Sequence, residues 1–157
     1  MRTIAIAFSG ALLAFAGMGA TARADQPAPS TFVAVLSTDE ETGACAGISN
    51  SARGLAVFHV TDEATGTVSY RIVANNLPGT TSLAHIHIGP PGVAGPAVQP
   101  LAGVAGNEQG VIATGSFTNP LLLAALRANT SAYYVNVHTV PNCPNGVIRG
   151  QLGDHGP

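Results

Sequence analysis

Residues 84–90 read Ala84-His85-Ile86-His87-Ile88-Gly89-Pro90, a run in which histidine and aliphatic side chains alternate before a Gly-Pro pair ends it. Successive side chains of a β-strand point to opposite faces of the sheet. The run therefore predicts a strand that places His85 and His87 on one face and its aliphatic side chains on the core face.

A second strand-like run, residues 133–139, has the same two-faced character. Val135 and Val137 fall on its apolar face, whereas Asn136 and His138 fall on its polar face. If the two strands lie close together, His138 joins the other two histidines on one side of a sheet whose opposite side is core.

Neutral imidazole nitrogen is a preferred ligand of copper and zinc. We therefore predict a transition-metal site, copper first, formed by His85, His87 and His138. The alternative is that the three histidines face solvent or hydrogen-bond to loops without a metal. His59 is a further candidate, although it shares its strand face with apolar residues, which favours a packed or half-exposed side chain.

A hairpin is expected between residues 133–139 and 147–152, joined by a turn at 141–146 that is rich in Pro, Asn and Gly. The two runs divide in the same way, with polar side chains on one face of each. The antiparallel register then places Asn136 nearly opposite Arg149, so that both flank the third histidine.

An arginine at that position has two interpretations. A fixed guanidinium beside the histidines would attract small anions and disfavour histidine protonation. Alternatively, Arg149 bonds loop carbonyls or pairs with an acidic residue such as Glu40 or Glu41.

The rest of the chain consists of short β-like runs separated by turn residues, with one exception. Asn119 and Pro120 precede a leucine- and alanine-rich segment ending at Arg127, which predicts a short helix with Asn119 as its N-cap. We predict an all-β fold, an antiparallel Greek-key sandwich or flattened barrel of about eight strands with one short helix. The predicted strands are residues 31–37, 52–60, 67–77, 82–88, 97–101, 111–117, 132–139 and 147–152.

The first 24 residues have the pattern of a signal peptide. Arg2 gives a positive start, a small apolar segment follows, and Ala22-Arg23-Ala24 fits a cleavage site. We predict a secreted or periplasmic protein with no membrane span after cleavage. Its organisation would be a signal peptide at 1–24, a flexible lead-in at 25–30, a single β domain at 31–153 and a tail at 154–157.

Charge and motifs exclude several functions. The chain contains no lysine, and its formal net charge of −2 becomes −4 without the predicted signal peptide. Nucleic acids and anionic membranes need clustered Lys and Arg, so neither is an expected partner. The sequence contains no nucleophile elbow, phosphate loop, dinucleotide fingerprint or zinc-protease motif. We therefore predict a protein that is not an enzyme.

Cys45 and Cys143 are the two cysteines. In an exported chain an even pair predicts a disulfide. Such a bridge would close a loop of about 98 residues and, in the chain-entropy model, stabilise the fold by about 4 kcal/mol. Two cysteine metal ligands are the alternative.

Residues 84–96, 134–139 and 146–152 resemble, in order and spacing, the central and closing motifs of the CHRD domain, the module named for chordin, and residues 32–37 resemble its first strand. The resemblance implies an extracellular or exported β-rich module, and it assigns no activity to a lone domain of this kind. It covers almost the whole chain after the predicted signal peptide. The Cys45–Cys143 pair departs from the usual closing motif.

A looser resemblance is to Cu/Zn superoxide dismutase. That family also has a Greek-key barrel, a His-x-His strand, a distant histidine, a disulfide and an arginine near copper. Residues 89–110 contain no histidine or aspartate, so the zinc subsite is missing. We predict a copper-binding protein, with a structural or protein-interaction module of the envelope or matrix as the alternative and an oxidoreductase third.

Overall fold

The computed structural model describes residues 28–46, 48 and 51–154. The predicted signal peptide, the start of the lead-in and most of the predicted tail lie outside these residues. Within the described part, no helix is long and apolar enough to cross a membrane.

The described residues form nine β-strands, one α-helix and one short 3-10 turn, Thr130–Ala132. The strands run antiparallel in one curled sheet, in the order β5-β4-β7-β8-β1-β2-β3-β6, with β9 beside β1. The elements are β1 Thr31–Ser37, β2 Arg53–Asp62, β3 Thr67–Asn75, β4 Thr80–Ile88, β5 Ala97–Pro100, β6 Gly110–Thr118, α1 Pro120–Ala128, β7 Tyr133–Val140, β8 Cys143–Gln151 and β9 Gly153–Asp154.

The predicted all-β antiparallel architecture is confirmed. The curled sheet has two halves, β5-β4-β7-β8 and β1-β2-β3-β6. The chain crosses between them from β3 to β4, from β5 to β6 and from β6 through α1 to β7. These crossings bring one face of each half into a single apolar core. Its fully buried members include Phe32, Leu36, Phe58, Ile72, Ile86, Val135, Val137 and Ile148.

The helix begins as predicted. The side-chain oxygen of Asn119 accepts a hydrogen bond from the Leu122 backbone N–H at 3.0 Å, and Pro120 occupies the first helical position. Leu123 and Leu126 bury the inner face of α1 against the core.

The β7–β8 hairpin is tighter than the predicted turn at 141–146. β7 continues to Val140 and β8 begins at Cys143, so the turn is two residues long. Cys143 pairs with Thr139 across the hairpin and is held by the disulfide to Cys45. The strand therefore starts before the Pro-Asn-Gly residues that predicted a loop.

Both faces of β7 are buried, from Tyr133 to Thr139. One face packs into the core. The polar face is also covered: Pro144 bonds to His138, and residues 89–96 fold back over Tyr134. We call this segment the cover loop. The predicted polar face is thus an inner layer and not a solvent surface.

Candidate metal centre

The three predicted histidines converge. His85, His87 and His138 each offer a ring nitrogen, and these nitrogens lie within 4.8 Å of one another. The Nδ1 atom of His85 is 3.1 Å from the Nε2 atom of His138. With metal–nitrogen bonds of about 2.0–2.1 Å, that separation corresponds to an angle of about 100° at a shared ion. Tetrahedral and tetragonal sites both accommodate such an angle.

Strand register explains this convergence. β4 lies beside β7, and His85 pairs with Asn136 while His87 pairs with Tyr134. Directly paired residues of antiparallel strands share a face. His138 pairs with Leu83 in the same continuous register, two residues from His85 on β4, and the bulge between Thr81 and Leu83 lies beyond it.

Backbone carbonyls fix the tautomers of two of the rings. The Nδ1 atom of His87 is 2.8 Å from the Gly95 carbonyl oxygen, and that of His138 is 3.0 Å from the Pro144 carbonyl oxygen. Because a carbonyl oxygen only accepts, each Nδ1 must carry the proton and each Nε2 a lone pair. The Nε2 atom of His87 is buried and has no hydrogen-bond partner.

The electrostatics favour neutral rings. Burial lowers the pKa of His85, and the neighbouring histidines lower it further. Burial also lowers the pKa of His138; the hydrogen bond to Pro144 opposes this shift, and His87 adds to it. A neutral imidazole has the lone pair that a metal ion needs.

Arg149 is fully buried and bonds the cover loop, as one of its two predicted interpretations requires. It donates hydrogen bonds to the carbonyl oxygens of Pro90 at 2.8 Å and Val93 at 2.9 Å, and to the Gln151 side chain. Among the described residues no ion pair joins it to Glu40 or Glu41.

Asn136 lies opposite Arg149 in the β7–β8 register. Its side chain is buried, and its Oδ1 atom has no hydrogen-bond partner. The Asn136 amide and the buried carboxylate of Glu41 both lie close to Gly146, where an added Cβ would meet them. Asn136 therefore belongs to the buried polar layer beside the histidines, paired with His85 across the two strands.

His59 is not part of the cluster. It lies exposed on β2 and shares a 3.2 Å hydrogen bond with the hydroxyl of Thr31. In the sheet order β8 and β1 lie between β7 and β2, so the fold keeps His59 away from the other three histidines.

Sequence reasoning missed Tyr134. Its ring stacks on that of His87 with centroids 4.8 Å apart, and the Arg149 guanidinium carbon lies 3.5 Å from its centroid. The alternation that placed Asn136 and His138 on one face also places Tyr134 there, so a signal existed. The carbonyls of Gly95 and Pro144 had no such signal, because every residue carries one.

The predicted disulfide is confirmed. Cys45 and Cys143 are bonded, with their Cα atoms 5.8 Å apart. They are therefore not free thiolates, and the alternative of two cysteine ligands does not apply.

Comparison with known proteins gives a family. No curated protein sequence matches the chain. Among solved structures, the crystal structure of the clock protein EA4 is similar, with 16% sequence identity, a TM-score of 0.47, and coverage of 82% of this chain and 97% of that one. The CHRD domain profile matches residues 32–152, from β1 to the end of β8, and the chain therefore belongs to the CHRD domain family.

Proposed function

We propose that this protein is an exported, non-catalytic binding protein that holds one copper ion through His85, His87 and His138. One observation carries the proposal. The Nε2 atom of His87 is buried without a hydrogen-bond partner, and its ring is fixed by the Gly95 carbonyl. A buried nitrogen lone pair without a partner is costly, and a metal ion would satisfy it.

The donor set favours copper. The cluster contains three imidazoles and no carboxylate or thiolate. Imidazole suits copper and zinc, and for a given nitrogen site Cu²⁺ binds more tightly than other divalent ions of the first row. Carbonyls that bind the second nitrogen of a ligating histidine are the usual support of such sites.

The setting is compatible with this role. The disulfide and the CHRD domain fit an extracellular or periplasmic location. With the signal peptide predicted from the sequence, a protein there would buffer copper or deliver it to another protein.

Copper titration of the purified protein tests the proposal. We expect one Cu²⁺ per chain, and loss of that binding in the double variant H85A/H87A and in H138A. H59A is the matched control, because it removes a histidine outside the cluster and should bind normally. Equally weak binding by the wild type and the cluster variants would instead favour a structural or protein-interaction module without metal.

A further inference from the structure

Arg149 holds the cover loop over the histidines at two points. Its guanidinium donates to the carbonyl oxygen of Pro90 at 2.8 Å and of Val93 at 2.9 Å. Gln151, two residues along the same strand face, donates to the Gly89 carbonyl oxygen at 3.0 Å. The first half of the loop is therefore fixed by side chains of β8.

The burial of Arg149 suggests a specific use. The residue is 0% exposed, and no carboxylate balances its charge among the described ion pairs. A buried cation is costly unless hydrogen bonds compensate for its lost hydration. Here two neutral carbonyls, the Gln151 side chain and the face of the Tyr134 ring provide part of that compensation, while the Arg149 Nε–H has no partner among the described residues. A guanidinium enclosed in this way is poorly placed to attract anions from solvent.

The Tyr134 ring and the cover loop, both of which Arg149 contacts, also contact His87. The Tyr134 ring stacks on His87 at an interplanar angle of 16°. The Tyr134 hydroxyl accepts a hydrogen bond from the Gly95 N–H at 3.0 Å and lies 3.2 Å from the Gly95 carbonyl oxygen. That carbonyl oxygen accepts the hydrogen bond from His87 Nδ1.

We infer that Arg149 is a positioning residue of the candidate metal centre. By holding the cover loop and the Tyr134 ring, it keeps the Gly95 carbonyl on His87 Nδ1, so that the Nε2 lone pair faces the other two histidines. This inference rests on the proposed function for its biological meaning. The positioning itself exists in the metal-free protein and can be measured there.

The imidazole ¹⁵N spectrum of metal-free protein at pH 8 tests the inference, because it reports which ring nitrogen carries the proton. In the wild type we expect His87 to be a single Nδ1–H tautomer, with H87A giving the assignment. R149M should convert it to a mixture. R149K should resemble R149M, because one ammonium cannot span the Pro90 and Val93 carbonyls as the guanidinium fork does.

R127M is the matched control, since Arg127 also bonds a backbone carbonyl, that of Pro29, but lies far from the cluster. It should leave the His87 tautomer unchanged. In copper titrations R149M should weaken binding by about 10- to 100-fold, the usual effect of losing a group that orients a metal ligand.

The inference would be overturned if R149M kept the Nδ1–H tautomer of His87, or if R127M lost it equally. Weaker azide binding to the copper form of R149M, with the tautomer kept, would assign Arg149 an anion-attracting role instead. Absence of copper binding by a wild type with the expected tautomer would contradict the proposed function alone.

If R149M does not fold, R149K makes the test of Arg149 itself, and G95A tests the contact through which it acts. A Cβ on Gly95 would overlap the Ile88 carbonyl oxygen and displace the loop, whereas a Cβ on Gly43, outside the loop, would meet only Glu41 Oε1 at 4.0 Å. G95A should therefore lose the single tautomer and G43A should keep it. A single Nδ1–H tautomer of His87 in R149K or in G95A would overturn the inference.

Discussion

At the scale of single residues, the candidate centre depends on where each imidazole holds its proton. His87 and His138 have their Nδ1 protons committed to carbonyls. Without a metal, the short contact between His85 Nδ1 and His138 Nε2 is then a hydrogen bond donated by His85. Copper binding through that Nδ1 requires the His85 proton to move to Nε2, with no net change in protonation.

The lowered pKa values of His85 and His138 predict a pH-dependent stability of the metal-free protein. Between the folded pKa and the unfolded value of about 6.5, the unfolded chain binds more protons, so the free energy of unfolding falls as the pH falls through that window. Urea denaturation with a chelator at pH 8, 7, 6 and 5 measures this decline.

The double variant H85A/H138A should lose the part of the decline that lies near pH 6. H59A serves as the control and should retain it. An unchanged decline in H85A/H138A would show that other groups are responsible.

Gly146 is tightly packed against the polar layer beside the histidines. Its φ is +123°, and an added Cβ would lie 2.6 Å from Glu41 Oε2 and against the amide of Asn136. We expect G146A to lower the free energy of unfolding by about 2–4 kcal/mol, from backbone strain and overpacking together.

Chemical denaturation of G146A and G106A separates the two contributions. Gly106 has a φ of +68°, but an added Cβ there would meet nothing within 4 Å, so G106A should show only the conformational part, about 1–2 kcal/mol. Equal losses in the two variants would contradict the crowding at Gly146.

At the scale of elements, alternation predicted the faces of β4 and β7 because a period of two is a property of any strand. It placed the three histidines, Asn136 and Arg149 on one side before any contact was known. It could not predict the bulges between Thr81 and Leu83 and between Val137 and Thr139. These depend on how strands from distant parts of the chain pair.

The disulfide links the β7–β8 hairpin to the segment before β2. Cys143 pairs with Thr139, beside His138, and precedes Pro144, whose carbonyl oxygen holds the His138 ring. We expect C45A/C143A to lower the free energy of unfolding by about 4 kcal/mol. Copper affinity should also fall, because the end of the hairpin that orients His138 is less restrained.

Urea denaturation and copper titration measure the two effects. V68A is the control, because it destabilises β3 by removing part of a fully buried side chain far along the sheet from the hairpin. It should leave copper affinity unchanged in the folded protein. A loss of affinity in V68A equal to that in C45A/C143A would attribute the effect to general stability.

At the scale of the whole molecule, the curled sheet has a common core on one side and different surroundings on the other. Outside β4, β7 and β8 the cover loop contacts His87, and the three histidines are buried or half-buried. Outside β2 and β3 the residues Leu55, His59 and Arg71 are exposed. A histidine on a strand is thus a candidate ligand in one half and a surface residue in the other. Strand periodicity cannot distinguish these cases, because the cover comes from the tertiary fold.

The last prediction concerns the stability of the whole fold with copper. A ligand that binds only the folded state adds about 2.7 kcal/mol at a free concentration 100 times its Kd. For a domain of this size, that corresponds to a rise in Tm on the order of 10 °C. The triple variant H85A/H87A/H138A should show no rise, and H59A should show the full one.

Differential scanning calorimetry at several free copper concentrations makes this measurement. The rise should grow with the logarithm of the copper concentration above Kd, because mass action and not a new contact sets its size. An equal rise in the triple variant would place copper elsewhere on the chain. A full rise in the wild type and in H59A, with none in the triple variant, would show that the ion is held between the paired strands β4 and β7, which carry the three histidines.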